Sequence, residues 1–77
     1  SRGTDLIGDA YNASGHEARL VGGETVSLEW ITVGAFVTNV SWRQGGRHVF
    51  GTSQDVVLPE PLASRVKRAE RHTRRRV

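Results

Sequence analysis

The residues best equipped for chemistry lie near the C-terminus. Between positions 65 and 76 the chain carries Arg65, Lys67, Arg68, Arg71, Arg74, Arg75 and Arg76, with Glu70 as the one acid among them. Guanidinium groups present forked N–H donors that meet phosphate or carboxylate oxygens two at a time. A dense run of such cations displaces counterions from a polyanion and binds it with strong salt dependence. These seven side chains are therefore the candidate contacts for nucleic acid or for an acidic protein surface. A solvated helix face has the same composition, so the partner reading rests on how charge is distributed along the chain. Residues 1–63 carry a net charge of −3 and residues 64–77 a net charge of +6. That asymmetry describes a basic segment seeking an anionic surface, attached to a mildly acidic body.

Other reactive residue types are scattered. His16, His48 and His72 are far apart and share no metal-ligand spacing. Asp5 and Asp9 flank Leu6-Ile7-Gly8 without the pattern of a calcium loop. Ser14 with His16, or His48 with Asp55, can be drawn as a nucleophile and base, yet nothing in the spacing positions them. Cysteine is absent, so neither a disulfide nor a thiolate zinc site can form. The glycines pair at turns rather than spacing out before a helix, so no phosphate-cradling loop is expected. The expectation is a protein that is not an enzyme, with no cofactor, no metal and no small-molecule substrate. Trp30, Phe36, Trp42 and Phe50 offer flat rings on which bases could stack. The alternation around Trp30, Phe36 and Trp42 instead places those three in a core. Asn12-Ala13-Ser14 and Asn39-Val40-Ser41 match the glycosylation pattern, but Asn12 reads as a loop residue and Asn39 as an outward strand residue.

At 77 residues the chain has room for one domain. A domain this small buries little more than about 60% of its unfolded surface and gains from a staple or a partner. No apolar run reaches the ~18–20 residues of a membrane span, and no charged-then-apolar leader is visible, so a cytoplasmic or virion location is expected, with no membrane partner. The chain begins at Ser1 and has no methionine, which fits an initiator trimmed before a small residue or a proteolytic fragment.

The positioning elements follow from periodicity. Residues 1–16, rich in Gly, Ser, Asn and Asp, sustain no period and read as an extended N-terminal arm, with Leu6, Ile7 and Tyr11 as its docking side chains. Residues 17–58 read as a β core. Glu17 to Val21 forms a short strand. Thr25 to Val33 alternates, with Val26, Leu28 and Trp30 on one face, and slips at Ile31. Gly34 marks a bulge or bend. Phe36, Thr38, Val40 and Trp42 share the inward face of the next strand. Gly45-Gly46 is a two-residue hairpin loop that pairs Gln44 with Arg47 and sets Trp42 opposite Val49. Gly51-Thr52-Ser53 is a further turn, and Asp55 to Leu58 a last strand. The expected core is Val26, Leu28, Trp30, Phe36, Val40, Trp42 and Val49. Residues 59–77 read as a basic helix entered through Pro59 and Pro61. Its apolar stripe is Leu62, Val66, Ala69, Thr73 and Val77, with a Glu70–Arg74 pair at i,i+4.

The fold expected is mainly β, a small antiparallel barrel or twisted sheet of four to five strands, with the arm and one C-terminal helix. The function expected first is a non-enzymatic structural or assembly protein. Its partners would be protein subunits of a larger assembly such as a virus or phage particle, reached through the arm and the basic segment. A small nucleic-acid-binding protein using the arginine-rich helix is the alternative, and an inhibitor or adaptor of one protein partner is the third.

Overall fold

Period-two alternation builds the sheet, and the places where it breaks decide the shape. The computed structural model describes residues 6–7 and 10–75, with side chains over 10–75. In chain order the elements are β1 (Leu6–Ile7), β2 (Ala10–Asn12), β3 (Glu17–Leu20), β4 (Thr25–Val33), β5 (Thr38–Gln44), β6 (Arg47–Thr52), β7 (Val56–Val57) and helix α1 (Leu62–Arg75). The fold is mainly β, antiparallel throughout its sheet, with one C-terminal helix.

β4 is the hub. One edge pairs with β5 along most of its length. The other edge takes β3 against Thr25–Ser27 and β2 against Trp30–Thr32. β2 and β3 are thus two halves of one edge partner, interrupted by a Ser14-Gly15 turn. Gly15 has φ +92° there, a value that favours glycine, and Asn12 Oδ1 accepts the Ser14 N–H at 2.9 Å. Beyond β5 lies β6, and beyond β3 lies β7. β6 and β7 are joined by only Ser53 to Asp55, yet they stand at opposite ends of the order β6-β5-β4-β3-β7. So short a link forces the sheet to curl into a half-barrel. The Val21 N–H, donating to Asp55 O at 2.8 Å, adds one bond to the β3–β7 pairing, and the seam of the half-barrel lies between that edge and β6.

The core comprises Tyr11, Ala13, Ala18, Val26, Leu28, Ile31, Val33, Val40, Trp42 and Val56, with Leu62, Val66 and Ala69 supplied by α1. Four of the seven expected core residues, Val26, Leu28, Val40 and Trp42, are buried, and Val49 packs half-buried against them on edge strand β6. Two expectations are corrected. Trp30 is 47% exposed and Phe36 is 87% exposed. A bulge between Leu28 and Trp30 shifts the register, so that Leu28 faces Trp42 but Trp30 faces Ser41. The extra residue turns Trp30 outward and brings Ile31 and Val33 inside. Phe36 lies in the bend between β4 and β5, outside the strand whose alternation was extended to it.

The arm is also corrected in part. Tyr11 is not available to dock on a neighbour, being buried in the chain's own core, and Ala10–Asn12 is paired with β4. The backbone of Leu6 and Ile7 pairs with β2 in the same chain. Docking through their side chains, like the structure of residues 1–5 and 8–9, lies outside the described residues. The strand count exceeds four to five because β1 and β7 are two-residue pieces and the Ser14-Gly15 turn splits one edge strand.

Gly45 and Gly46, at φ +58° and +78°, form the expected tight loop, with Gln44 opposite Arg47 and Trp42 opposite Val49. The expected turn at Gly51 is displaced by two residues. β6 runs on through Thr52, and Asp55 Oδ2 accepts the Thr52 N–H at 2.7 Å to close the turn at Ser53-Gln54. Gly51 lies in the strand opposite Val40, and glycine is required there because a Cβ would stand 2.6 Å from the Trp42 ring.

A candidate anionic-partner interface

Helix α1 begins one residue after Pro61, where proline's fixed φ suits the approach to a first turn. Glu60 Oε1 accepts from the Ser64 hydroxyl at 2.7 Å and from the Ser64 N–H at 3.3 Å. Its carboxylate thus meets the positive end of the helix dipole, while His72, Arg74 and Arg75 occupy the last turn, where cations are favoured. Leu62, Val66 and Ala69 are buried and Thr73 is half-buried, so the apolar stripe does fix the orientation of the helix. Val77 and Arg76 lie outside the described residues.

With the stripe buried, the cations sort themselves. At about 100° per residue, Lys67, Arg68, Arg71, Arg74 and Arg75 fall within an arc of roughly 120° on the opposite side, spread over about 12 Å of axis. All five are exposed. Burial of the stripe sets them on one face. Arg65 stands apart, half-buried with its guanidinium carbon 4.9 Å from the centroid of the Tyr11 ring. It serves the fold through a cation–π contact. Arg74 serves both purposes. Its Nη2 donates to Thr38 Oγ1 at 3.2 Å and lies 3.7 Å from Glu70 Oε2, the i,i+4 pair expected. Thr38, 1% exposed, donates its hydroxyl to Glu70 Oε2. The one acid of the segment is therefore turned onto the barrel and away from the cationic face. Lys67, Arg68, Arg71 and Arg75 form no ion pair with any described residue.

The drawn nucleophile–base pairs do not assemble. His48 Nδ1 lies 2.9 Å from Glu29 Oε2 and not beside Asp55, whose Oδ2 is engaged by the Thr52 N–H. Among the described residues no group of three His, Asp or Glu side chains converges on a metal position. The seam groove, about 440 Å³ and rimmed by Glu24 and Asp55, has Trp42 in its wall. Its acids are committed: Glu24 Oε1 accepts from Gln44 Nε2 at 2.9 Å, and Gln44 Oε1 accepts from the Trp42 indole N–H at 3.0 Å. Among the described residues no helix is long and apolar enough to cross a membrane.

Trp30 and Phe50, two of the rings on which bases could stack, form a second surface that the sequence does not bring together. On the outer face of the sheet, Trp30, Ser41 and Phe50 stand in one cross-strand row on β4, β5 and β6. Phe50 is 81% exposed, whereas Ser41 between the rings is buried and its Oγ accepts the Trp30 N–H at 3.2 Å. The signal that could have found this row is the apolar pair Trp30-Ile31, which cannot both face inward without a bulge.

Comparison with family models, with characterised proteins and with solved structures returns no match. The reading of function therefore rests on the geometry of these surfaces.

Proposed function

We propose that this chain is a non-enzymatic structural or assembly protein that uses the outward face of α1 to seat itself on a polyanion. The observation that carries this reading is the burial pattern of the helix. Its apolar stripe is sealed into the barrel and Glu70 is bound to Thr38, which leaves Lys67, Arg68, Arg71, Arg74 and Arg75 as one exposed cationic face. A rigid β body holding such a face suits a component that joins protein neighbours to nucleic acid. A virus or phage particle, which encloses nucleic acid within protein subunits, is the assembly that offers both.

The test is the salt dependence of binding to duplex DNA by the full chain. Engagement of the five cations predicts a slope of log affinity against log salt near −4.5, at about −0.9 per phosphate neutralised. Replacing Lys67 and Arg71 by Glu lowers the slope by about 2 or more while the circular dichroism of the folded chain is preserved. A flat salt profile contradicts the reading. Light scattering on native material tests the assembly half: recovery as a free monomer only would sink it.

A further inference from the structure

We propose that β6 is an open sheet edge that pairs with β6 of a second copy of this chain, antiparallel about a two-fold axis at Val49. The inference uses none of the cations of α1 and is independent of polyanion binding. β6 pairs with β5 on one side, and among the described residues no strand pairs with its other side. Which backbone groups face that open side follows from the hairpin. A two-residue loop with both φ values positive makes its flanking residues, Gln44 and Arg47, a hydrogen-bonded pair. Such pairs recur at every second residue, Trp42 with Val49 and Val40 with Gly51. The Ser53 N–H, donating to Thr38 O at 2.9 Å, continues the series. The N–H and C=O of His48, Phe50 and Thr52 therefore point away from β5. Those of Thr52 are occupied by the turn: its N–H donates to Asp55 Oδ2 at 2.7 Å, and its C=O accepts the Asp55 N–H at 2.9 Å. The N–H and C=O of His48 and Phe50 remain, on a strand with neither proline nor bulge to blunt it.

Such an edge selects an extended backbone, and its register and charges select this chain's own. Setting His48 opposite Phe50 of the second copy satisfies all the open groups of both strands, as two hydrogen-bonded pairs related by the two-fold axis. In that register Arg47 stands opposite Gly51 of the second copy. Gly51 has no side chain to obstruct it, and Asp55 Oδ2 lies 2.6 Å from where a Cβ would stand. Arg47 and Asp55 are both exposed, and neither forms an ion pair with any described residue. Pairing brings each beside the opposite charge of the other copy, twice by symmetry. The seam groove of about 440 Å³, rimmed by Asp55 and Glu24, gives the incoming guanidinium room. On the outer face Phe50, 81% exposed in the single chain, comes opposite His48 and diagonal to Phe50 of the second copy, within reach of aromatic side chains. No two like charges of β6 are set opposite each other.

The test is sedimentation equilibrium of the full chain from micromolar to millimolar concentration, with amide exchange measured by NMR on the same samples. A reversible dimer is expected, and the His48 and Phe50 amides should gain protection from exchange as it forms. Phe50→Lys places a charge on the edge and Arg47→Glu turns the cross-copy attraction into repulsion, so each should weaken the dimer about tenfold or more. Both side chains are exposed, so the melting temperature of the dilute monomer should not move. The register has its own readout. Val49 meets its counterpart on the axis in a non-hydrogen-bonded pair, with Cα atoms about 4.5 Å apart, within the ~4.4–6.8 Å that a disulfide spans. The chain has no cysteine of its own, so Val49→Cys should cross-link the dimer on mild oxidation. A dimer that neither charge variant weakens, or that Val49→Cys does not cross-link, overturns the proposal. So does a chain that stays monomeric at every concentration. Protected His48 and Phe50 amides in that monomer would mean that the chain covers its own edge, and freely exchanging ones that the edge is left to a strand of another sequence.

Discussion

Trp42 carries the largest single share of this core, and its surroundings show how. The ring is 4% exposed, its indole N–H is satisfied by Gln44, and Gly51 leaves the space it fills. Trp42→Ala should cost about 3–5 kcal/mol, read as a loss of most of the denaturant midpoint in so small a domain. An unchanged midpoint would place the ring outside the core. Gly51→Ala pushes a methyl group into the ring and Asp55 Oδ2, and should cost about 1–3 kcal/mol by overpacking. Thr38 tests the polar side of the same logic. Its buried hydroxyl is shared by Glu70 and Arg74. Replacing Glu70 by Ala removes one partner of a buried network and should cost about 1–3 kcal/mol. A double-mutant cycle with Thr38→Val should return a coupling of at least about 0.5 kcal/mol; additive effects would mean that the contact carries no energy.

At the scale of elements, α1 depends on the sheet. Its described span is 14 residues, near the length at which isolated helices are marginal, and its outward cations repel one another. Docking through Leu62, Val66 and Ala69 is what holds it helical. Leu62→Ala should therefore cost about 2–5 kcal/mol and weaken polyanion binding, although Leu62 touches no partner. Loss of stability with binding intact would show that the cations act without the helix. The stripe was legible in the sequence because a docked helix repeats one spacing over four turns, and the Gly45-Gly46 hairpin because two adjacent glycines suit a loop with both φ values positive. The bulge at Glu29 was not. Whether Trp30 or Ile31 faces inward depends on which of them β5 pairs with, a long-range contact that local alternation does not encode. The same limit hid the Trp30–Phe50 row and drew Phe36 into the core. Tyr11 was missed because β2 is three residues long, too short to display a period, and is made a strand by β4 alongside it.

For the whole molecule, the proposed polyanion binding would be separated from folding by the division between an acidic body and a basic helix, except at Arg74. Lys67, Arg68 and Arg71 face solvent and pair with no described residue. Changing those three together to Ser should leave the melting temperature within a few degrees of wild type and lower the salt slope of polyanion binding by about 3. Arg74→Ser behaves differently. It removes one cation from the face and one donor from Thr38, so both melting temperature and affinity should fall. Comparing the two variants by thermal unfolding and by titration with one polyanion decides whether binding and stability are separable. If the triple variant melts as early as Arg74→Ser, the outward cations contribute to the fold, and a helix whose solvent face is structural has no free surface to offer a partner. If only Arg74→Ser melts early, the chain joins its binding face to its core through a single side chain. A partner that pulls Arg74 toward its own phosphates then competes with Thr38 and Glu70, and loosens the end of α1 as it binds.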